Sequence, residues 1–409
     1  MKLYRRENYL RKIRGFYHDT GMIKVVTGVR RCGKSCLMET IADEIRESGV
    51  SDENIIYLNL DKRGYRNIKT ADQLDALIEK CARAVGTKYL FIDEIQNVKG
   101  FEEVINGYRE EEEFSIFITG SNSYLLSGEL ATKLTGRYLE FELFTLSFDE
   151  YLGMKKFLGK EVQNDLTSEF DAYIYEGGFP KTLQYDSADR PVYIQSIIKE
   201  IFQKDIKRRV KIRKVSVFET VQRYIINNFG ATVSLTNIME DLNKSGCPIR
   251  RETLKRYISI LEEAKIIYPC YRFDLKSRKS ISGEQKYYLA DLGFYFTVNT
   301  DKRINYGPML ENIVYIYAKS KGYNVSVGRI GKFECDFILE RNNIEYSYVQ
   351  VAMTIMNSKE TEDREYRPLE SIRDNYPKYL LTRNDLVQRR SGIKHENAAL
   401  FMKEGRLFE

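Results

Sequence analysis

Gly28-Val-Arg-Arg-Cys-Gly-Lys-Ser35 follows the apolar run Met22 to Thr27 and opens a helical pattern, which is the placement of a phosphate-binding loop. Gly28 and Gly33 permit a tight backbone path whose N–H groups surround a polyphosphate, and the helix N-terminus adds a favourable dipole. Lys34 supplies a cation and Ser35 a magnesium ligand, so ATP with Mg2+ is the expected ligand, with Arg31 and Cys36 completing the set around it. Arg30 and Arg31 either touch phosphate or point outward as charged loop residues.

A second motif supports the first. Lys88-Tyr-Leu-Phe-Ile-Asp93-Glu94 reads as a buried parallel strand ending in two acids, where an open α/β sheet presents its ligand-facing edge. Asp93 is expected to hold magnesium through its water shell, and Glu94 to orient and polarise the water that attacks the γ-phosphate. A third strand, Phe114 to Thr119, runs into Gly120-Ser121-Asn122, making Asn122 or Ser121 the candidate sensor of the phosphates. Thr135-Gly-Arg137-Tyr places Arg137 before an alternating strand, Tyr138 to Leu143, where it serves as an arginine finger or pairs with surface acids. A homo-oligomer is implied only if Arg137 acts in trans.

Elements alternating strand and helix over 1 to about 145 must carry these residues: Met22–Thr27, Ser35–Glu47, Ile55–Leu60, Ala71–Val85, Lys88–Asp93, Phe101–Glu112 and Phe114–Thr119. The pattern predicts a parallel sheet with covering helices. Residues 146–214 read as helical, punctuated by Tyr175-Glu-Gly-Gly-Phe-Pro180, and fit a small lid followed by a basic linker. Between Lys199 and Lys214 eight basic residues stand against two acids, a stretch that contacts nucleic-acid backbone or is simply a solvated helix.

Over 215–300, helical patterns at Val215–Asn228, Leu235–Leu242 and Arg250–Glu263 precede two strand patterns, the order of a winged helix-turn-helix. Arg250, Arg251, Lys255 and Arg256 would face the major groove, and Lys276, Arg278 and Lys279 in the wing would meet phosphates. DNA is therefore an expected partner, with a protein contact as the other use of such a module.

In 301–409, a helix carrying Glu311, a strand carrying Asp336 and a strand carrying Gln350 have the spacing of a PD-(D/E)XK core, in which such residues gather magnesium. The lysine that should follow two residues after Gln350 is Ala352. Unless Lys332 or Lys359 migrates in, nuclease activity is not expected, and a degenerate fold kept for binding or assembly is. A strand at Tyr379–Thr382 is read as the last.

Taken together, Gly28 to Ser35, Phe91-Ile-Asp-Glu-Ile-Gln96, Ile118 to Asn122 and Leu146-Ser-Phe-Asp-Glu150 resemble the prokaryotic AAA-type ATPases with an accessory C-terminal domain. The resemblance implies an α/β fold: a P-loop NTPase parallel sheet with a helical lid, then a winged helix, then an α/β domain similar to PD-(D/E)XK nucleases. The residues on that architecture are read as an ATPase that couples nucleotide state to DNA binding; the alternatives are an ATP-driven switch acting on a protein partner, and an ATP-dependent nuclease.

Bulk properties set outer bounds. The 409 residues require several compact units, and the net charge of +6 is too modest to imply a polyanionic partner without clustering. No apolar stretch is long enough to cross a bilayer and the first residues lack a secretory pattern, so a cytoplasmic location with no membrane contact is expected. Six cysteines without a CxxC pair read as reduced thiols, and the two histidines, His18 and His395, are expected at the surface, leaving almost no material for imidazole-based zinc or triad chemistry.

Overall fold

The computed structural model describes residues 3–120, 134–207, 212, 214–277, 279–299, 303–342 and 345–409. They fall into two units, Met1–Leu143 and Phe144–Glu409. Ser121, Asn122 and Arg278 lie outside the described residues, as does most of the basic stretch 207–214.

The first unit contains α1 (Glu7–Ile13), β1 (Ile23–Thr27), α2 (Lys34–Glu47), β2 (Ile55–Asn59), α3 (Ala71–Cys81), β3 (Lys88–Asp93), α4 (Phe101–Glu110), β4 (Phe114–Thr119) and β5 (Tyr138–Glu142). Its five strands are all parallel in the order β2-β3-β4-β1-β5. β1, β3 and β4 are buried at every position, as a sheet covered on both faces requires. One face packs Ile23, Val25, Leu90, Ile92, Ile116 and Ile118 against Leu74, Ile78 and Ile105 from α3 and α4. On the other, Tyr57, Phe91 and Phe117 stack in sequence across β2, β3 and β4.

Within that sheet Lys24 is fully buried, with its ammonium donating to Ser115 Oγ at 2.9 Å and the Met22 carbonyl at 3.0 Å. Burial pulls its pKa down to about 7. α3 stops at Cys81, short of the expected Val85. Ala82 leaves helical geometry, and Val85 is 96% exposed, so no packing holds it in a further turn.

The second unit begins with α5 (Phe148–Phe157), α6 (Leu166–Glu176) and α7 (Arg190–Glu200), the last running into a π-helical turn, Ile201–Ile206. α5 is started by a capping box in which Ser147 and Glu150 satisfy each other's backbone N–H groups. The glycine pair before Phe179 also has a structural cause. A Cβ on Gly177 would sit 2.0 Å from Asp291 Oδ1, and the Gly178 N–H donates to Asp291 Oδ2 at 2.7 Å. Burial raises the Asp291 carboxyl to about 6, opposed by the N–H groups of Gly178 and Gly293.

Next come α8 (Val215–Asn227), β6 (Thr232–Val233), α9 (Leu235–Lys244), α10 (Arg251–Glu263), β7 (Ile267–Asp274) and β8 (Lys279–Leu289). They are followed by α11 (Gly293–Val298), α12 (Tyr306–Ser320), β9 (Asn324–Ile330), β10 (Phe333–Arg341), β11 (Glu345–Val351), α13 (Lys359–Glu370), β12 (Lys378–Thr382), β13 (Arg389–Arg390), β14 (Ile393–Asn397) and α14 (Ala398–Lys403). The strands form one nine-stranded sheet, β13-β14-β12-β11-β10-β9-β7-β8-β6. β7 pairs antiparallel with β8 on one edge and, through Arg272–Asp274, parallel with Val327–Arg329 of β9 on the other. Segments 215–300 and 301–409 thus share a single sheet.

Two expectations need correction here. β12 is not the last strand: β14 pairs parallel with it and α14 follows. The alternating run Ile393-Lys-His-Glu-Asn397, which looks polar, buries every second residue. His395 is one of them, only 3% exposed, with Nε2 2.7 Å from Thr382 Oγ1 and Nδ1 accepting from the Gln388 N–H at 3.2 Å. Burial lowers its pKa. His18 is exposed as expected.

Candidate nucleotide site and a carboxylate cluster

Thr27 ends β1, and the chain turns at once through Gly28, whose φ is +139°. A Cβ there would lie 2.1 Å from the Leu143 carbonyl oxygen, so the loop closes only around glycine. Arg31 at φ +69° and Gly33 at φ +110° complete the curl, and α2 starts at Lys34 with Gly33 as its N-cap. Lys34 is buried, and its ammonium folds over the loop to the carbonyls of Gly28 (2.9 Å) and Val29 (3.2 Å). Ser35 is half-buried in the first turn of the helix, and Cys36 is exposed beside it. Arg31 is exposed, whereas Arg30 is buried and lies 3.7 Å from Glu94 Oε2.

β4 lies between the strand that feeds this loop and β3, which delivers the two acids. Asp93 is 1% exposed, its Oδ1 accepting from the Thr119 hydroxyl at 2.5 Å and its Oδ2 from Asn59 Nδ2 at 2.9 Å. Such a buried carboxylate, fixed on both oxygens by neutral donors, suits a hydrated cation nearby. Glu94 takes a left-handed φ of +60°, its N–H donating to Thr119 Oγ1 at 3.1 Å and its carboxylate accepting from Gln96. Thr119 and Asn59 were not singled out in the sequence. The signal available was their position, one at the end of β4 and one at the end of β2, on the same sheet edge as Asp93.

The residues therefore fit a magnesium-bound nucleoside triphosphate: a glycine cradle that a Cβ would fill, a buried ammonium over it, and a buried carboxylate beside it. Arg137 stands elsewhere. It precedes β5, whose Tyr138 pairs with Ile23 at the amino end of β1, so it lies roughly 17 Å, one five-residue strand, from the phosphate edge. There it is half-exposed, donating to Asn106 Oδ1 at 3.2 Å and lying 3.8 Å from Glu110.

In the second unit, Arg250 at the N-cap of α10 and Arg251, Lys255 and Arg256 on its outer face are all exposed, while Leu254, Tyr257, Ile258 and Leu261 bury the inner one. Lys276 and Lys279 are exposed at the β7–β8 turn.

Glu311, Asp336 and Gln350 converge, but with a different complement from the expected one. Asp336 falls in a bulge where two β10 residues oppose one of β9. Its Oδ2 accepts from the Val351 N–H at 2.8 Å, its own N–H donates to Gln350 Oε1 at 3.3 Å, and Gln350 Nε2 donates to Glu365 at 3.1 Å. Burial, then the neighbouring Glu311, push the Asp336 carboxyl well up. Neither Lys332 nor Lys359 fills the place of the missing lysine: Lys332 is exposed in the β9–β10 turn and Lys359 pairs with Glu362 on the surface.

The cation comes from β8 instead. Lys286, 6% exposed, reaches Glu311 Oε2 at 3.0 Å and Glu334 Oε1 at 3.2 Å, and the Tyr288 hydroxyl donates to Glu311 at 3.0 Å. Among the described residues no group of three or more His, Cys, Asp or Glu side chains is arranged to hold a metal ion. With the Lys286 ammonium on Glu311 and Glu334 and a glutamine at the third position, the cluster does not fit the magnesium centre of a PD-(D/E)XK core.

A family model described as an AAA domain matches residues 20–152, and one described as a domain of unknown function (DUF8612) matches residues 167–303. An uncharacterized protein of Haemophilus influenzae is 36% identical over 380 residues, covering 92% of this chain and 92% of its own. An uncharacterized protein of Methanocaldococcus jannaschii is 30% identical over 375 residues, covering 89% of this chain and 82% of its own. The solved structure of a Walker-type ATPase of Pyrococcus abyssi matches with a TM-score of 0.50 at 15% identity, over 72% of this chain and 96% of that one, a likeness of fold. No helix among the described residues is long and apolar enough to cross a membrane. The chain belongs to the same family as the Haemophilus and Methanocaldococcus proteins and is, through its first unit, an ATP-binding AAA-type P-loop ATPase.

Proposed function

We propose that the protein hydrolyses ATP in a magnesium-dependent reaction and couples its nucleotide state to the binding of duplex DNA. The observation that carries the first half is the shared sheet edge on which the Gly28–Ser35 loop, Asp93 and Glu94 meet. Lys34 and the loop N–H groups hold the β- and γ-phosphates; Ser35 and Asp93 would hold a magnesium ion, whose chemistry when bound would be charge neutralisation at the phosphates. Glu94, its backbone fixed by Thr119, accepts the proton of the attacking water. Its contacts with Gln96 and Arg30 aim the carboxylate.

DNA binding rests on the outer face of α10. Three helices and a hairpin in this order support the winged-helix reading, and the unburied Arg250 at the start of the third helix and Arg251, Lys255 and Arg256 on it, with Lys276 and Lys279 on the wing, suit phosphates and the major-groove rim. The C-terminal segment is read as a nuclease-like fold without nuclease chemistry, because Lys286 neutralises the carboxylates that would otherwise gather metal.

The test is nucleotide binding and turnover in parallel. Lys34→Ala should lose tight ATP binding. Glu94→Gln should bind ATP with turnover lower by about 10²–10⁴. Unimpaired ATP affinity in the first variant, or unimpaired hydrolysis in the second, contradicts the site.

A further inference from the structure

A groove of about 740 Å³ opens at the end of the large sheet where the β7–β8 and β9–β10 turns meet the segment after α13, within the range of ~300–1,000 Å³ that ligand clefts occupy. It belongs to neither site described above. Its walls are aromatic: Phe273, Phe333, Tyr346, Tyr348 and Tyr376. Tyr348 is buried in the floor, Phe273 and Tyr346 pack partly on the core beneath, and Tyr376, 41% exposed, stands edge-on to Tyr346 with ring centroids 5.4 Å apart.

The rim is basic. Lys276, Lys332 and Arg373 come from three separate chain segments and are all exposed. Among the described residues no carboxylate forms an ion pair with any of them. The one acid in the lining, Asp374, is already engaged by the Tyr348 hydroxyl at 2.6 Å and by Lys378 at 3.6 Å.

We propose that this groove binds a single-stranded segment of nucleic acid, with bases against Tyr376, Tyr346 and Phe333 and phosphates against Lys276, Lys332 and Arg373. Aromatic faces take up bases only when the bases are unstacked, which excludes an intact duplex. An apolar peptide would cover the rings but strand three cations without counter-charge. Cations brought to one groove by three separate chain segments suit several phosphates of a strand. The groove lies apart from the outer face of α10 but shares Lys276 with the wing, so the two are separated at Lys332, Arg373 and Tyr376 on one side and at Arg251 and Lys255 on the other.

The experiment is fluorescence anisotropy on the full chain with labelled oligo(dT) and oligo(rU) of about 12 nucleotides and with a blunt duplex. Lys332→Ala/Arg373→Ala and Tyr376→Ala should each weaken single-strand binding about tenfold, with Tyr376→Phe retaining it. The double variant should also flatten the salt slope by about 1.4, while duplex binding stays unchanged. Arg251→Ala/Lys255→Ala should do the reverse. A single strand carrying 5-bromodeoxyuridine should photocrosslink to the peptides bearing Tyr376 or Phe333. Unaltered thermal midpoints verify that these exposed substitutions leave the fold intact. Single-strand affinity unchanged in the groove variants, equal loss for duplex and single strand, or crosslinks confined to other peptides would each overturn the proposal. Equal losses for the two oligomers support recognition of base and phosphate alone; a loss confined to one supports a further contact to the 2′-hydroxyl or the thymine methyl.

Discussion

Replacing Lys286 with methionine keeps the volume and the apolar stem of the side chain but removes the ammonium from between Glu311 and Glu334. Lys286 is 6% exposed, while the side chains of Glu311 and Glu334 retain 17% and 33% of their exposure. Burial alone would lower the lysine pKa; Glu311, Asp336 and Glu334 outweigh it and hold the group protonated. For Glu334, burial pushes the carboxyl up, and Lys286 with Arg272 brings it below the ordinary value. Removing one member of a fully buried pair costs about 3–5 kcal/mol, and partial access of water to the carboxylates reduces this to roughly 2–4 kcal/mol. For a unit of this size the thermal midpoint should fall by about 5–12 °C. Differential scanning calorimetry at pH 7 measures it. The sign with pH follows from the carboxylates: with the Glu334 pKa depressed in the native state, the contribution is present above its unfolded value, near 4.5, and is lost as pH falls through the native one. The gap between wild type and Lys286→Met should therefore close on acidification. Adding Glu311→Gln to Lys286→Met should recover part of the loss. A methionine variant as stable as wild type at pH 7, or a gap independent of pH, would refute the view that Lys286 neutralises this cluster.

Other consequences are checked more briefly. Gly28→Ala should abolish ATP binding in equilibrium dialysis, since a Cβ 2.1 Å from the Leu143 carbonyl forces the loop open; retained affinity would contradict the loop geometry. Asp291, raised by burial from 3.8 to about 6, binds its proton more tightly when folded. Its contribution is fully present below pH 3.8 and lost as pH rises to 6, worth roughly 3 kcal/mol, so denaturant melts of Asp291→Asn should lack that portion of the wild-type slope. Arg137→Ala should cost little stability, because its partners are at an exposed site. If the arginine acts on a neighbour's nucleotide, turnover should fall, and mixing Arg137→Ala with Glu94→Gln should restore it; no recovery on mixing would exclude action in trans.

The elements around the nucleotide were legible because each announces itself locally. Buried parallel strands read as continuous apolar runs, and a glycine loop followed by Lys34 and Ser35 marks a strand-to-helix turn. What the sequence concealed depends on long-range pairing. Lys286 and Glu311 are 25 residues apart, and only the pairing of β7 with β9 places the hairpin's strands beside the C-terminal ones. Asp291, which explains Gly177 and Gly178, lies 113 residues from the N–H it accepts from. His395 shows the limit of reading polarity: every second residue of a polar-looking strand is buried, and the imidazole is accommodated by a threonine hydroxyl and a backbone N–H. Thr119 was visible only as the last residue of a strand, although it holds both Asp93 and the backbone of Glu94.

The central claim, that nucleotide chemistry is coupled to DNA, is tested most directly by steady-state ATP hydrolysis with and without duplex DNA over a salt series, for wild type and Arg251→Glu/Lys255→Glu. The account predicts stimulation by duplex that fades as salt rises and is absent in the charge-reversed variant, whose basal turnover is retained. Turnover indifferent to duplex at every salt concentration, or equal stimulation of the variant, would contradict it.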